Sequence, residues 1–394
     1  MTVTFVSNYI NHHQIPFSDA CYRELGDEYH FIQTEPMETE RISMGWSVDI
    51  EKLPYVLCLY EKEEECRKLI MESDIVIFGW TGREDIVLER LNTGKPAIRV
   101  SERLYREGQW KAISPKGLIQ KYKEHTKYRK APVCLLCAGA YVASDFHLVR
   151  AYPNKMLRFG YFPETVLHTQ EELERLKENK GRIDIVWAGR FLPLKHPEFA
   201  IQIAKELKRD EKNFHLHMVG NGELEAELKR AVAEAGMENY VTFYGYTPPE
   251  EVRKVMEKSH IHLFTSNYLE GWGAVVNEAM NSGCALVASV EAGAVPFLIR
   301  HEENGLVYGN SSYEQFATQV KRLVEDTALT AKLGKEAYRT IEEMWNAEHA
   351  AKELLRFCDD LRQGKVVPAK EGPLSIAPVV SPGKMYQKVK RHLL

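Results

Sequence analysis

Two carboxylates, Glu270 and Glu278, bracket a glycine-rich stretch that reads Ser266-Asn267-Tyr268-Leu269-Glu270-Gly271-Trp272-Gly273-Ala274-Val275-Val276-Asn277-Glu278. Gly271 and Gly273 flank an aromatic residue, and the pattern predicts a helix opening just after them with Glu278 in its first turns. Such an entry offers free N–H groups and the positive end of the helix dipole to an anion. A carboxylate before that turn and a second one inside the helix accept hydrogen bonds from sugar hydroxyls. The segment would therefore hold a phosphate between two sets of polyol contacts, which is the shape of a nucleotide sugar. An ordinary helix start attracts acidic residues too, but it does not call for glycines at this spacing.

Two further loops carry compatible chemistry. Gly189-Arg190-Phe191-Leu192-Pro193-Leu194-Lys195 follows an apolar run, and its Arg and Lys are five residues apart. Arginine forks onto two oxygens and lysine adds a mobile point charge, a pairing suited to a diphosphate. Taken alone, the loop also reads as a solvated basic turn. Gly220-Asn221-Gly222-Glu223 allows either close approach of a ligand to Gly222 or merely a tight turn, and it lacks the third glycine of a dinucleotide fingerprint.

These loops need a scaffold, and the chain supplies one. Its 394 residues exceed what one core usually serves, so two domains are expected. Short β-branched runs alternate with amphipathic charged segments, predicting two Rossmann-like, doubly wound parallel sheets (α/β) facing each other across a cleft. The expected strands are Val3–Ser7, Tyr29–Gln33, Asp74–Phe78, Ala97–Val100, Val133–Cys137 and Met156–Phe159. Those of the second half are Ile183–Ala188, His215–Val219, Val241–Tyr244, Ile261–Phe264, Cys284–Ala288 and Leu306–Val307. The expected division is an N-terminal domain over 1–165, a linker over 166–182 that includes the charged stretch Gln170–Lys180, and a C-terminal nucleotide-sugar domain over 183–337. A closing helix near Tyr338–Gln363 and a basic tail fill 338–394, with Val366–Pro382 read as extended or loose.

Composition narrows the class. A net charge of -4 gives no basic excess for nucleic acid. Seven cysteines, with Cys134 and Cys137 in an apolar run, read as buried thiols in a reducing compartment. The N-terminus enters a strand at once, without a signal peptide's pattern. No apolar run reaches a membrane span. The expected location is cytoplasmic, either free or peripheral at the inner face of a membrane.

The segment Ile183–Leu306, with its Glu-seven residues-Glu motif and trailing glycines, resembles the retaining glycosyltransferases of the GT-B fold, often called family four (glycosyl transferases group 1). The resemblance implies that Arg190 and Lys195 bind the diphosphate at the turn made by Gly189. It also implies that Glu278 meets the ribose, while Glu270 and the backbone from Gly271 through Trp272 and Gly273 to Ala274, with Ser266 beside them, meet the transferred sugar and phosphate. Tyr246, at the end of Phe243-Tyr244-Gly245-Tyr246, packs either against the base or in the core. The run Glu291-Ala292-Gly293-Ala294-Val295-Pro296-Phe297 departs from the family, which has a glycine pair and then Pro-Glu.

In the first half, Asn11-His12-His13-Gln14 at a strand end are costly to bury without partners, and they resemble the corresponding loop of bacterial polysaccharide-assembly transferases. His12 and His13 are candidates for contact with a sugar hydroxyl or phosphate. Trp80, Arg83, Glu102 and Arg103, together with Asn11, mark the acceptor side; Glu102 and Arg103 otherwise pair with each other. No Asp-x-Asp occurs. Transferases of the other main fold hold a divalent metal with that pair, so no metal and no other cofactor is expected here. The strand pairs His215/His217 and His260/His262 read as core or surface residues rather than ligands. The resemblance implies retention of configuration, by front-face attack with the leaving phosphate taking the proton. The expected partners are a UDP or GDP sugar and a glycan, lipid-linked or small-molecule acceptor. The basic C-terminus, with Met385, Val389 and Leu393 spaced by four, lies either weakly on anionic lipid or on the first domain. Rival readings are a nucleotide-sugar epimerase of the same fold and a non-catalytic nucleotide-sugar-binding protein.

Overall fold

The computed structural model describes residues 1–39, 48–178, 181–309 and 311–393. The chain divides into two compact units, one of Met1–Glu164 with Met344–Val380 and one of Thr165–Glu343 with Ser381–Leu394. Seven strands form the first: β1 (Val3–Ser7), β2 (Tyr29–Gln33), β3 (Val56–Cys58), β4 (Ile75–Phe78), β5 (Ala97–Ser101), β6 (Val133–Ala138) and β7 (Met156–Phe159). Their order is β3-β2-β1-β4-β5-β6-β7. The second unit has six strands: β8 (Ile183–Ala188), β9 (Phe214–Val219), β10 (Val241–Gly245), β11 (Ile261–Phe264), β12 (Ala285–Ser289) and β13 (Leu306–Tyr308). Their order is β10-β9-β8-β11-β12-β13, and every pairing in both sheets is parallel.

Burial explains the sequence pattern. Strands β1, β4, β6, β8, β11 and β12 are buried along their whole length, so they read as unbroken apolar runs. Edge strand β10 alternates instead, with Val241 buried and Thr242 and Tyr244 exposed. In the second unit Ile185, Trp187, Leu216, Met218 and Leu263 present one sheet face to a core completed by helices Glu198–Arg209, Glu225–Glu234 and Tyr313–Glu325. Strand order reverses between β1 and β4 in one unit and between β8 and β11 in the other. Such switch points open a crevice outside the carboxyl ends of the strands, where ligands bind.

Two expectations are corrected and a third is narrowed. Strand β3 was not foreseen, because three residues at a sheet edge make too short a run to register. The closing region is not one helix; Thr327–Glu343 ends before a second helix, Ala347–Arg362. Asn346 caps the second helix by accepting from His349 N at 2.8 Å, and Trp345 is buried beside Phe162. The segment after that helix, read as extended or loose, is tied down. Arg158 N donates to Ser375 O (2.7 Å), Leu374 N to Arg158 O (2.8 Å) and Ala377 N to Met156 O (3.0 Å), which pins it along the edge strand β7.

The terminal helix Pro382–Leu393 belongs to the second unit, where Val389 and Tyr386 lie against Gly309 beside β13. The side chains of Lys388 and of residues 390–394, on which the basic-tail expectation partly rests, lie outside the described residues, as do residues 179–180 of the charged stretch. All seven cysteines are free and buried, and burial raises the Cys134 thiol to about 12. Among the described residues no helix is long and apolar enough to cross a membrane.

One buried cation fixes the approach to β4. Arg90 is fully buried, and its guanidinium donates to the carbonyls of Ile70 and Met71 (3.0 Å each), Ser73 (2.8 Å), Asp74 (3.3 Å) and Pro96 (3.0 Å). Helix Glu63–Glu72 thereby has its last carbonyls satisfied before the chain turns into the sheet. Burial lowers the guanidinium to about 10, still charged at neutral pH. Arg90→Met fills the same space and strands these acceptors. It should cost about 3 kcal/mol, read as a fall of several degrees in the thermal unfolding midpoint.

Candidate functional site

The loops after β8, β9 and β10 are laced together by backbone. Gly189 N donates to Val219 O (3.0 Å), Phe191 N to Asn221 O (2.7 Å), Gly220 N to Gly245 O (3.0 Å) and Leu224 N to Phe191 O (3.2 Å). The contact is so close that a Cβ on Gly220 (φ +127°) would stand 1.9 Å from Gly189 O, and one on Gly222 would stand 2.6 Å from Phe191 O. Gly220 and Gly222 thus make room for the neighbouring strand end, the close packing that a tight turn here requires.

That lacing aims the basic loop. Pro193–Lys195 forms a single 3-10 turn closed by His196 in the left-handed region (φ 47°). Thr265 Oγ1, which accepts from Trp187 Nε1 at 2.8 Å, donates to Lys195 O at 2.5 Å. Asn267 N donates to Leu194 O at 2.8 Å. The result is a Lys195 Nζ–Glu270 Oε2 ion pair of 2.6 Å, with each side chain 17% exposed. Ser266 Oγ also donates to Glu270 Oε2, at 3.0 Å. The Lys195 ammonium has three donors; among the described residues Glu270 takes one and the others are open to a ligand. Arg190 is exposed and forms no ion pair among the described residues. Two cations with unspent donors on one loop at a switch point have the chemistry to attract an anion.

The remaining donor-side candidates divide. Trp272 is 1% exposed and donates through Nε1 to Asn277 Oδ1 (2.9 Å), so it anchors the loop from below and offers no stacking face. Gly273 (φ +92°) packs on the Phe264 ring, and Ala274 leads into the seven-residue helix Val275–Asn281. The Gly271 carbonyl accepts from Gly293 N and the Trp272 carbonyl from Ala294 N, both at 3.0 Å, so the loop that departs from the family pattern still clasps the Glu270 loop. Glu291, 4% exposed, accepts from Tyr268 N (3.2 Å) and from Ser311. Glu278 is partly buried; loss of solvation pushes its carboxyl up to about 7, with the Arg253 charge opposing the shift. Tyr246 is 58% exposed beyond β10 and is not a core residue.

The histidine pairs resolve as structural. His217 lies between Tyr244 OH (Nδ1, 2.9 Å) and Asp184 Oδ1 (Nε2, 3.1 Å), and His215 meets Thr242 Oγ1 at 2.8 Å. His260 Nδ1 accepts from Asp184 N at 3.1 Å, and His262 is buried.

In the first unit the loops after β1, β4, β5 and β7 meet at Tyr161. Its ring lies 5.4 Å from Trp80 and 6.1 Å from His13, and its hydroxyl donates to Glu102 Oε1 at 2.5 Å. Phe5, His13, Gln14, Trp80, Tyr161 and Phe162 line a small recess there. Asn11 shapes the loop by bonding Gln14 Oε1 and the His13 amide, both at 3.0 Å. Burial lowers both His12 and His13, the latter to about 3 with help from His12, so both rings are neutral rather than cationic. Glu102 and Arg103 do not pair with each other. Glu102 is bonded by Arg106, while Arg103 pairs with the buried Asp145 (3.3 Å). Arg83 lies outside the cluster, its fork spent on Asp85 and Glu63, each at 2.9 Å. Sequence reasoning missed Tyr161, Thr265 and Glu291. The available signal for Tyr161 was its place just past a predicted strand, the same place as His13 and Trp80.

Comparison with known proteins agrees with this reading of the scaffold. Residues 168–340 match the model of the family described as glycosyl transferases group 1. An amylovoran biosynthesis glycosyltransferase of Erwinia amylovora, AmsK, is 26% identical over 54% of this chain and 55% of its own length. A 2-deoxystreptamine glucosyltransferase of Streptomyces kanamyceticus is 30% identical over 42% of this chain and 44% of its own. The chain thus spans about half the length of these relatives. Over 91% of the chain the fold is that of Anabaena Alr3699/HepE, solved in complex with UDP, with a TM-score of 0.68, 13% identity and all of that protein covered. A glycosyltransferase of Rickettsia africae gives a TM-score of 0.65 at 15% identity, covering 91% of this chain and 98% of its own.

The position of Glu278 makes a measurable statement. Its folded value lies above the ordinary 4.5, so folding favours the protonated carboxyl. That contribution is complete below about pH 4.5 and is lost as pH rises through about 7. Glu278→Gln keeps the shape without the charge. It should match the parent near pH 4 and exceed it in stability at pH 8 by on the order of 1–2 kcal/mol, discounted for partial exposure and read by denaturant titration at both pH values.

Proposed function

We propose that this chain, whose residues 168–340 match the model of the glycosyl transferases group 1 family, is a retaining, metal-independent glycosyltransferase. It moves a sugar from a nucleoside-diphosphate sugar to a hydroxyl of a glycan, lipid-linked or small-molecule acceptor. The observation that carries the proposal is the Lys195–Glu270 pair at the β8/β11 switch point, with Arg190 exposed on the same loop. A uridine nucleotide is the first choice of donor, because the Anabaena structure was solved with UDP. The relation to amylovoran biosynthesis favours a growing polysaccharide as acceptor.

In this reading Arg190 and the free donors of Lys195 hold the diphosphate and take up the charge that grows as it leaves. Glu270, fixed by Lys195 and Ser266, accepts a hydroxyl of the transferred sugar, and Glu278 meets the ribose. The bond from the anomeric carbon to the diphosphate oxygen breaks as the acceptor oxygen bonds that carbon on the same face. The acceptor proton passes to the departing phosphate oxygen. His12, His13 and Trp80 in the first unit bind the acceptor through neutral imidazoles and an aromatic face. Transition-state charge is carried by fixed side-chain cations, so no step requires a divalent ion.

Incubation with a panel of UDP and GDP sugars, with and without EDTA, tests the proposal through release of nucleoside diphosphate. At least one UDP sugar should give release that EDTA leaves unchanged, and Lys195→Ala and Glu270→Ala should each lower it by about two orders of magnitude or more. Absence of release together with absence of a thermal shift by any nucleotide would contradict it. So would release that needs a metal ion.

A further inference from the structure

Between β5 and β6 the first unit carries a surface that the proposed reaction does not use. Helix Pro115–Glu124 has no buried residue, yet Leu118, Ile119 and Tyr122 share one side of it. The preceding turn, Gln109–Ile113, adds Trp110 and Ile113. These five side chains are 42%, 58%, 58%, 69% and 79% exposed in that order, an apolar strip that a soluble surface does not ordinarily leave open.

The charges around the strip say what covers it. Residues 103–130 hold nine lysines and arginines against two glutamates, in a chain whose net charge is -4. Lys116 and Lys123 lie on the exposed helix itself and form no ion pair among the described residues. Tryptophan, tyrosine and aliphatic groups rimmed by lysines are the composition that settles at a headgroup boundary, the rings at the interface and the cations on anionic lipid. A second copy of the same face would bring lysines against lysines. The strip is nonetheless held firmly to its unit. Leu104 and Ala112 pack on the core, and Arg99 Nη1 donates to Glu124 O at 2.9 Å. We propose that residues 109–124 dock the protein on an anionic phospholipid bilayer. This surface is distinct from the terminal helix Pro382–Leu393, where Val389 is already buried against the second unit.

Flotation of the full chain with phosphatidylcholine vesicles, with and without phosphatidylglycerol, tests this. Binding should require phosphatidylglycerol and weaken in high salt. The double variants Trp110→Ser/Ile119→Ser and Lys116→Glu/Lys123→Glu should each lower the bound fraction about tenfold or more. Their thermal midpoints should be unchanged, since the helix contributes no buried residue, and removal of the chain from Gly383 onward should leave binding intact. Three results would overturn the proposal: no vesicle binding, binding indifferent to both variants, or loss of binding on removing the terminal helix alone. Vesicle-free dimerisation abolished by Trp110→Ser would also overturn it and reassign the strip to contact between copies.

Discussion

The second unit is organised by a steric constraint. Gly220 lies so close to Gly189 that no side chain fits between the ends of β8 and β9, and their backbones bond each other directly. Closing that gap turns Gly189–Lys195 into a rigid shelf. A flexible basic loop would spread its cations through solvent. Here Lys195 is delivered to Glu270 at 2.6 Å, with Thr265 and Asn267 bonding the shelf from β11. The groups assigned to diphosphate and sugar are thus placed by main-chain contacts laid down before any ligand arrives, the condition under which fixed charge stabilises a leaving group.

The two units solve the same problem with different chemistry. Each presents loops at the carboxyl ends of parallel strands around a reversal of strand order. The second unit fills that place with cations and carboxylates. The first fills it with aromatic rings and neutral imidazoles gathered on Tyr161, and its own charged residues are taken up by Asp145, Arg106, Asp85 and Glu63. A charged site suits a nucleotide's diphosphate; a recess of rings and hydrogen-bonding groups suits a neutral sugar.

Much of this was legible in the sequence, for physical reasons. Fully buried parallel strands must be apolar throughout, so the interior strands were evident, while β3, short and at an edge, was not. Glu270, Lys195 and Arg190 stood out because polar groups follow strand ends at fixed spacing. What the sequence could not convey was direction and distance. Trp272 sits among the residues assigned to the donor yet points into the core, and Gly222 packs against the Phe191 backbone. Tyr161 and Thr265 act on partners far along the chain, Tyr161 on Glu102 and Thr265 on Lys195. The segment Val366–Pro382 could be read only as extended or loose because its attachment to β7 is made by backbone atoms, which leave no mark in residue type.

The central claim, that the shelf and its partner loop form the nucleotide-sugar site, is tested most directly by amide hydrogen exchange on the full chain with and without UDP. The account predicts slowed exchange confined to residues 189–196, 220–224 and 266–278, with the loops around His13 and Trp80 unaffected. Protection centred on those first-unit loops, or none at saturating UDP, would contradict it.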